Sequence, residues 1–245
     1  MLRVRKSETV RKDNTFWDHL EELRERLIFS LIVVVLLSVA CYLKSDQILN
    51  HLTKPLALLS QKTYFLSPYD AFVVKLQVSF WGAVLLSMPV FLTELWLFVA
   101  PGLYQREKAV FLNLIFASVF LFLLGLALAF FAVIPATVRF FLGFSTAELV
   151  PMISIGQYLN FAIGMALAFG LAFETPVLLI GFVKFGLLKA DQLSAARAYT
   201  VVVIFVFAAI VTPSPDPFSQ CALAIPLWIL FEISLLIARA INWKK

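Results

Sequence analysis

Six apolar runs separated by short polar segments leave this chain few ways to fold. They cover residues 27–43, 71–100, 110–135, 157–185, 195–212 and 218–238. The hydrocarbon core of a bilayer is about 30 Å thick and takes roughly 20 helical residues to cross. The runs at 71–100, 110–135, 157–185 and 218–238 satisfy that length, and those at 27–43 and 195–212 lie at its short limit. Composition excludes the soluble alternative. Hydrophobic residues make up 62% of the 245 and charged residues 14%, with a mean hydropathy of +0.93. A soluble domain has roughly 45–50% apolar and about 25% charged residues. No interval between runs is long enough to hold a separate core. The prediction is therefore one all-α, polytopic membrane domain over residues 1–245 with six transmembrane helices.

The basic residues set an orientation. Arg3, Arg5, Lys6, Arg11, Lys12, Arg24 and Arg26 precede the first run, and Arg106 and Lys108 follow the second. Lys184, Lys189 and Arg197 lie between the fourth and fifth, and Arg239, Lys244 and Lys245 follow the sixth. The alternate segments hold only Lys44, Lys54, Lys62 and Arg139, with Lys75 just inside the second run. This bias predicts both termini on the cytoplasmic side. It also accounts for the net charge of +5 through topology, so no nucleic-acid partner is implied. Ser38-Val39-Ala40-Cys41 has a faint likeness to a lipoprotein processing site, but the acidic segment before it is unlike a basic n-region. Cys41 and Cys221, in or beside apolar runs, read as small buried hydrophobes.

Three places carry charge where it could matter. Residues 1–26 form a polar cytoplasmic segment in which Thr15 and Asp18 have capping-box spacing. A short amphipathic helix is predicted there, with Phe16, Leu20, Leu23 and Leu27 on one face and His19, Glu22 and Arg26 on another. Taken alone, Glu22 reads as an i,i+4 ion pair with Arg26. Pro101-Gly102 ends the second run, and Glu107 follows at the membrane edge, where Arg106 or Lys108 could neutralise it. Trp96 and Tyr104 read as interfacial aromatic anchors. Glu174 lies deep in the fourth run, two residues before Pro176, where a kink is expected. An ionisable group at that depth needs a partner, a cavity or water. Glu94 and Glu232, nearer their helix ends, carry less weight.

Enzyme classes fit poorly. The two histidines, His19 and His51, fall on opposite sides of the predicted membrane, and the chain has no metal-ligand spacing, P-loop, dinucleotide fingerprint or nucleophile elbow. An ion-coupled secondary transporter working through Glu174 remains open, though the paired broken helices of such proteins are missing.

Four motifs in order resemble the TatC family, the core integral subunit of the twin-arginine protein translocase. They are His19-Leu20-Glu21-Glu22-Leu23-Arg24-x-Arg26-Leu27, Phe98-x-x-Pro101-Gly102-Leu103-Tyr104-x-x-Glu107, Phe173-Glu174-x-Pro176, and Thr212-Pro213-x-Pro215-Asp216-x-Phe218-Ser219-Gln220. The resemblance spans essentially the whole chain; Ser214 is an extra residue beside the more usual Thr-Pro-Pro-Asp. It implies a receptor, not a catalyst, with no cofactor and no metal. Its partners would be twin-arginine signal peptides of folded cargo proteins and small single-span subunits of the TatA/TatB type, assembled as an oligomeric complex in the bacterial cytoplasmic membrane. The proton-motive force would drive transport. By resemblance, Glu22 and Glu107 would bind the two arginines, with His19 and Arg24 beside Glu22. Phe98, Pro101, Leu103 and Tyr104 would shape the same site. Glu174 and Gln220 would be polar contacts for a partner within the membrane. The chemistry is coherent, because a guanidinium is a planar donor fork matched to carboxylate whereas an ammonium is a point charge.

Overall fold

The computed structural model of the chain describes residues 16–99, 108–146, 148, 150–212 and 216–242. Of the expected site, Pro101, Leu103, Tyr104 and Glu107 lie outside the described residues, as does Thr15 of the expected capping box. The architecture is all-α, as expected of chains that must satisfy every backbone group inside lipid. Five helical stretches are each long and apolar enough to cross a bilayer: His19–Leu43, Asp70–Val99, Phe111–Leu142, Ile155–Lys184 and Pro217–Ala240. The fifth expected span contains a shorter helix, Arg197–Val211, of 15 residues. At 1.5 Å per residue it reaches about 22 Å, short of the hydrocarbon thickness.

Helix α1 (Phe16–Leu43) joins the N-terminal amphipathic segment and the first apolar run into one rod. It lies along α3 (Asp70–Val99), close enough that a Cβ added to Gly82 would stand 3.6 Å from the Cys41 sulfur. Cys41 is buried there, as expected; Cys221 instead lies exposed on its helix. Between α1 and α3, the stretch read as a polar loop contains a helix, α2 (Ser45–Leu58). Ile48, Leu49, Leu52 and Leu56 fall on one side at helical spacing and pack against the core, while Asp46 pairs with Lys75 at 2.8 Å. Pro55 disguises this helix in the sequence.

The end of the molecule built from α2 is tied down in two further ways. Strand β1 (Thr63–Tyr64) pairs in parallel with β2 (Ile153–Ser154), in the register Thr63–Ile153 and Tyr64–Ser154. The Tyr158 hydroxyl donates to the Leu52 carbonyl at 2.7 Å. Helices α4 (Lys108–Leu128) and α5 (Ile134–Leu142) are continuous through a π-helical turn at Ala129–Val133. That widened turn leads into Pro135, whose missing N–H and ring preclude the ordinary bond to the carbonyl four residues back.

The core sits around α6 (Ile155–Ala172) and α7 (Thr175–Lys184). The span they form is 56% buried, against 11% for the first, so α6–α7 is wrapped by protein while α1 faces outward. The crossing of α4 on α6 is close because two glycines meet bulk from the other helix. A Cβ on Gly125 would fall 2.6 Å from the Phe169 carbonyl oxygen, and one on Gly170 would fall 2.6 Å from the Phe122 ring. Small residues that let backbones approach are the usual device for helix association in lipid. After α8 (Ala190–Ala195) and α9 (Arg197–Val211), α10 (Pro217–Asn242) packs on both α7 and α9. The expected hairpin of the last two runs is reflected in this α9–α10 contact, which Gln220 reinforces by donating to the Phe205 carbonyl at 3.0 Å. Large side chains such as Leu36, Phe116, Phe131 and Ile210 stand 65–77% exposed, as a lipid-facing surface requires.

Candidate functional site

The first site forms where α1 begins and α3 ends. Helical spacing puts His19, Glu22 and Arg26 on one edge of α1, and that edge faces α3 while Leu20 and Leu27 stay exposed. Arg26 donates from Nε and Nη2 to a single oxygen of Glu22, Oε1, at 3.1 and 2.7 Å. Its Nη1 donates to Glu94 Oε2 on α3 at 2.6 Å. The three side chains are 20–30% exposed, an environment between a wet surface pair and a dry one. At this depth each contact contributes on the order of 1 kcal/mol.

The second oxygen of Glu22, Oε2, points to His19, whose Nδ1 is 3.7 Å away, beyond hydrogen-bond length. The His19 ring in turn stacks on Phe98, with centroids 4.3 Å apart and planes 18° from parallel. Leu23, Leu27, Phe91 and Leu95 line a groove of about 30 Å³ beside this cluster. Two acids and one guanidinium leave the Glu22–Arg26–Glu94 triad with a net charge of −1. Such a cluster can accept a further planar cation. Arg24 is exposed.

Of the residues singled out from the sequence, the structure therefore brings together His19, Glu22 and Phe98. The i,i+4 pairing of Glu22 with Arg26 is present as read. Glu94 is the member that sequence reasoning passed over, because its distance from a helix end said nothing about a partner 68 residues away. Trp96, read as an interfacial anchor, is instead buried, edge-on to Phe111 and packed near Leu114 and Val177. Glu232 similarly has a partner, Arg197 at 2.7 Å, which clips α10 to α9.

The second site is the break between α6 and α7. Pro176 has no N–H for the Ala172 carbonyl, and the Thr175 hydroxyl donates to that carbonyl instead, at 2.7 Å. The chain turns at Phe173–Glu174, which positions the Glu174 side chain inward at 6% exposure. The Ser118 hydroxyl from α4 donates to its Oε2, and among the described residues Oε1 has no hydrogen-bond partner. Among the described residues no ion pair reaches Glu174, so it has a polar neighbour but no countercharge. Ser118 is the residue that the sequence reading missed; a lone hydroxyl inside an almost wholly apolar run was the available signal. Gln220 lies elsewhere, on α10, engaged with α9. Among the described residues no group of three His, Cys, Asp or Glu side chains converges in a way that would hold a metal ion.

Residues 18–226 match the family described as Sec-independent protein translocase protein (TatC). A protein of Magnetococcus marinus named Sec-independent protein translocase protein TatC is 39% identical over 93% of this chain and 85% of its own length. A second protein so named, from Carboxydothermus hydrogenoformans, is 38% identical over 96% of each. A crystal structure of a twin arginine translocase receptor, TatC, superposes with a TM-score of 0.79 at 34% identity, covering 91% of this chain and 98% of that one. A crystal structure of the receptor in DDM gives a TM-score of 0.80 at 33% identity. Agreement of motif order, near full-length identity and fold places this chain in the TatC family of Sec-independent protein translocase proteins.

Proposed function

We propose that this translocase component is the receptor that recognises the paired arginines of a signal peptide, with Glu22 as one acceptor and Glu107 as the other. The observation that carries this reading is the guanidinium of Arg26 held between Glu22 and Glu94. The site's own chemistry is that of arginine binding, and its residual charge of −1 favours another cation. Phe98, beside His19, contributes to the site, and by resemblance to the family Pro101, Leu103, Tyr104, His19 and Arg24 would serve the same peptide. The site lies on the cytoplasmic side of the bacterial cytoplasmic membrane, in a single membrane domain with six spans and both termini inside. Arg197–Val211 is the short member, and local thinning of the bilayer offsets its length. Glu174 and Gln220 contribute to contacts with small single-span TatA/TatB-type partners in an oligomeric complex that carries folded cargo at the expense of the proton-motive force.

The test is equilibrium binding of an Arg-Arg signal peptide and its Lys-Lys counterpart to the purified chain in lipid nanodiscs. Each lost charge-assisted contact weakens binding by about tenfold or more. The expected pattern is preference for Arg-Arg in the wild type and loss of that preference in both Glu22→Ala and Glu107→Ala. Equal binding of both peptides by the wild type would sink the receptor reading.

A further inference from the structure

Among the described residues, Glu22 is not simply paired with Arg26; it is half-paired. Both donating nitrogens of Arg26 converge on Oε1, while Oε2 has His19 Nδ1 at 3.7 Å as its nearest polar neighbour among the pairs formed there. A carboxylate has roughly four lone-pair sites and can hold two guanidinium groups, one on each side. Glu94 anchors the far side of Arg26 from α3, so the guanidinium is fixed at both ends and cannot swing with the Glu22 side chain. The Glu22 carboxylate is thereby held through one oxygen by a guanidinium that a residue on another helix anchors.

Resting on the receptor reading, we infer that Arg26 and Glu94 are positioning residues for arginine specificity: together they hold Glu22 so that Oε2 alone, beside the His19–Phe98 stack, receives the incoming guanidinium. Arg26 is an orienter, not a stand-in that the peptide must displace. The distinction has a chemical consequence. Recognition of a planar fork requires a carboxylate of fixed plane, whereas an ammonium binds a carboxylate in any orientation. Losing the orienter therefore erodes the preference for arginine over lysine more than it erodes binding of a cationic peptide in general. A merely structural loss would weaken both peptides in parallel.

The experiment measures Arg-Arg and Lys-Lys peptide affinities for the full chain in nanodiscs, in wild type, Arg26→Gln, Glu94→Gln and the double variant. The ratio of the two affinities is expected to fall about tenfold in each single variant, and no further in the double variant, because both act through one bridge. Glu94→Asp, which keeps the carboxylate, should recover part of the ratio. An unchanged or higher ratio in Arg26→Gln would show that Arg26 competes for Glu22 or is irrelevant to it, and would overturn the assignment. So would additive losses in the double variant, or parallel weakening of both peptides. A wild type that does not discriminate the peptides contradicts the underlying receptor reading instead, so the two failures are distinguishable.

Discussion

The chain holds two kinds of acid in two kinds of place. Glu22 and Glu94 share a guanidinium at the end of the outward-facing α1–α3 pair and stay 20–30% exposed. Glu174 is 6% exposed inside the most buried span, with one serine hydroxyl and, among the described residues, no cation. The first arrangement is open to an arriving group, because water reaches it and the Arg26 bridge leaves one oxygen of Glu22 clear. The second is fixed by packing on every side and by a proline that dictates the backbone turn. Arginine recognition suits the first, where an arriving cation adds to an existing charge pattern with little desolvation. A deep carboxylate with one unsatisfied oxygen suits a contact made only when a polar group is delivered inside the membrane.

Breaking the host of the buried acid has the largest expected effect. Gly125→Val places a side chain where even a Cβ falls 2.6 Å from the Phe169 carbonyl. It should push α4 off α6, separate Ser118 from Glu174 and destabilise the chain by about 3 kcal/mol. The midpoint of thermal unfolding in detergent reads this directly; a wild-type midpoint would mean that the crossing is not tight. Removing only the polar contact should do less. Ser118→Ala strips Glu174 of its donor and should lower stability by about 1 kcal/mol. Glu174→Gln, which keeps an acceptor for Ser118, should fall closer to wild type on the same melt. If Ser118→Ala proved neutral while Glu174→Gln was severely destabilised, the hydrogen bond would not be what holds the acid in place.

The contrast also explains what could be read from the sequence. Apolar run length located the five helices long enough to cross a bilayer because lipid imposes a helix wherever backbone groups lie in hydrocarbon, and the break at Phe173–Glu174 follows from Pro176 alone. The pairing of Glu22 with Arg26 is local, so i,i+4 spacing revealed it. Contacts between distant segments were hidden. Glu94 reaches Arg26 and Ser118 reaches Glu174 through helix packing, which periodicity does not encode in helices that are apolar all round. The cap formed by α2 and by the pairing of Thr63–Tyr64 with Ile153–Ser154 was missed for a different reason: polar residues and Pro55 look like a loop until the spacing of Ile48, Leu52 and Leu56 is weighed.

The central claim is that the exposed acid recognises and the buried acid does not. Its most direct test is photo-cross-linking of an Arg-Arg cargo precursor to a reactive amino acid introduced at Leu95, beside the Glu22 triad, in membranes carrying Glu22→Ala or Glu174→Ala. The account predicts that Glu22→Ala abolishes the cross-link and that Glu174→Ala leaves it at the wild-type level while transport stops. A full-strength cross-link in Glu22→Ala, or its loss in Glu174→Ala alone, would contradict that division of roles.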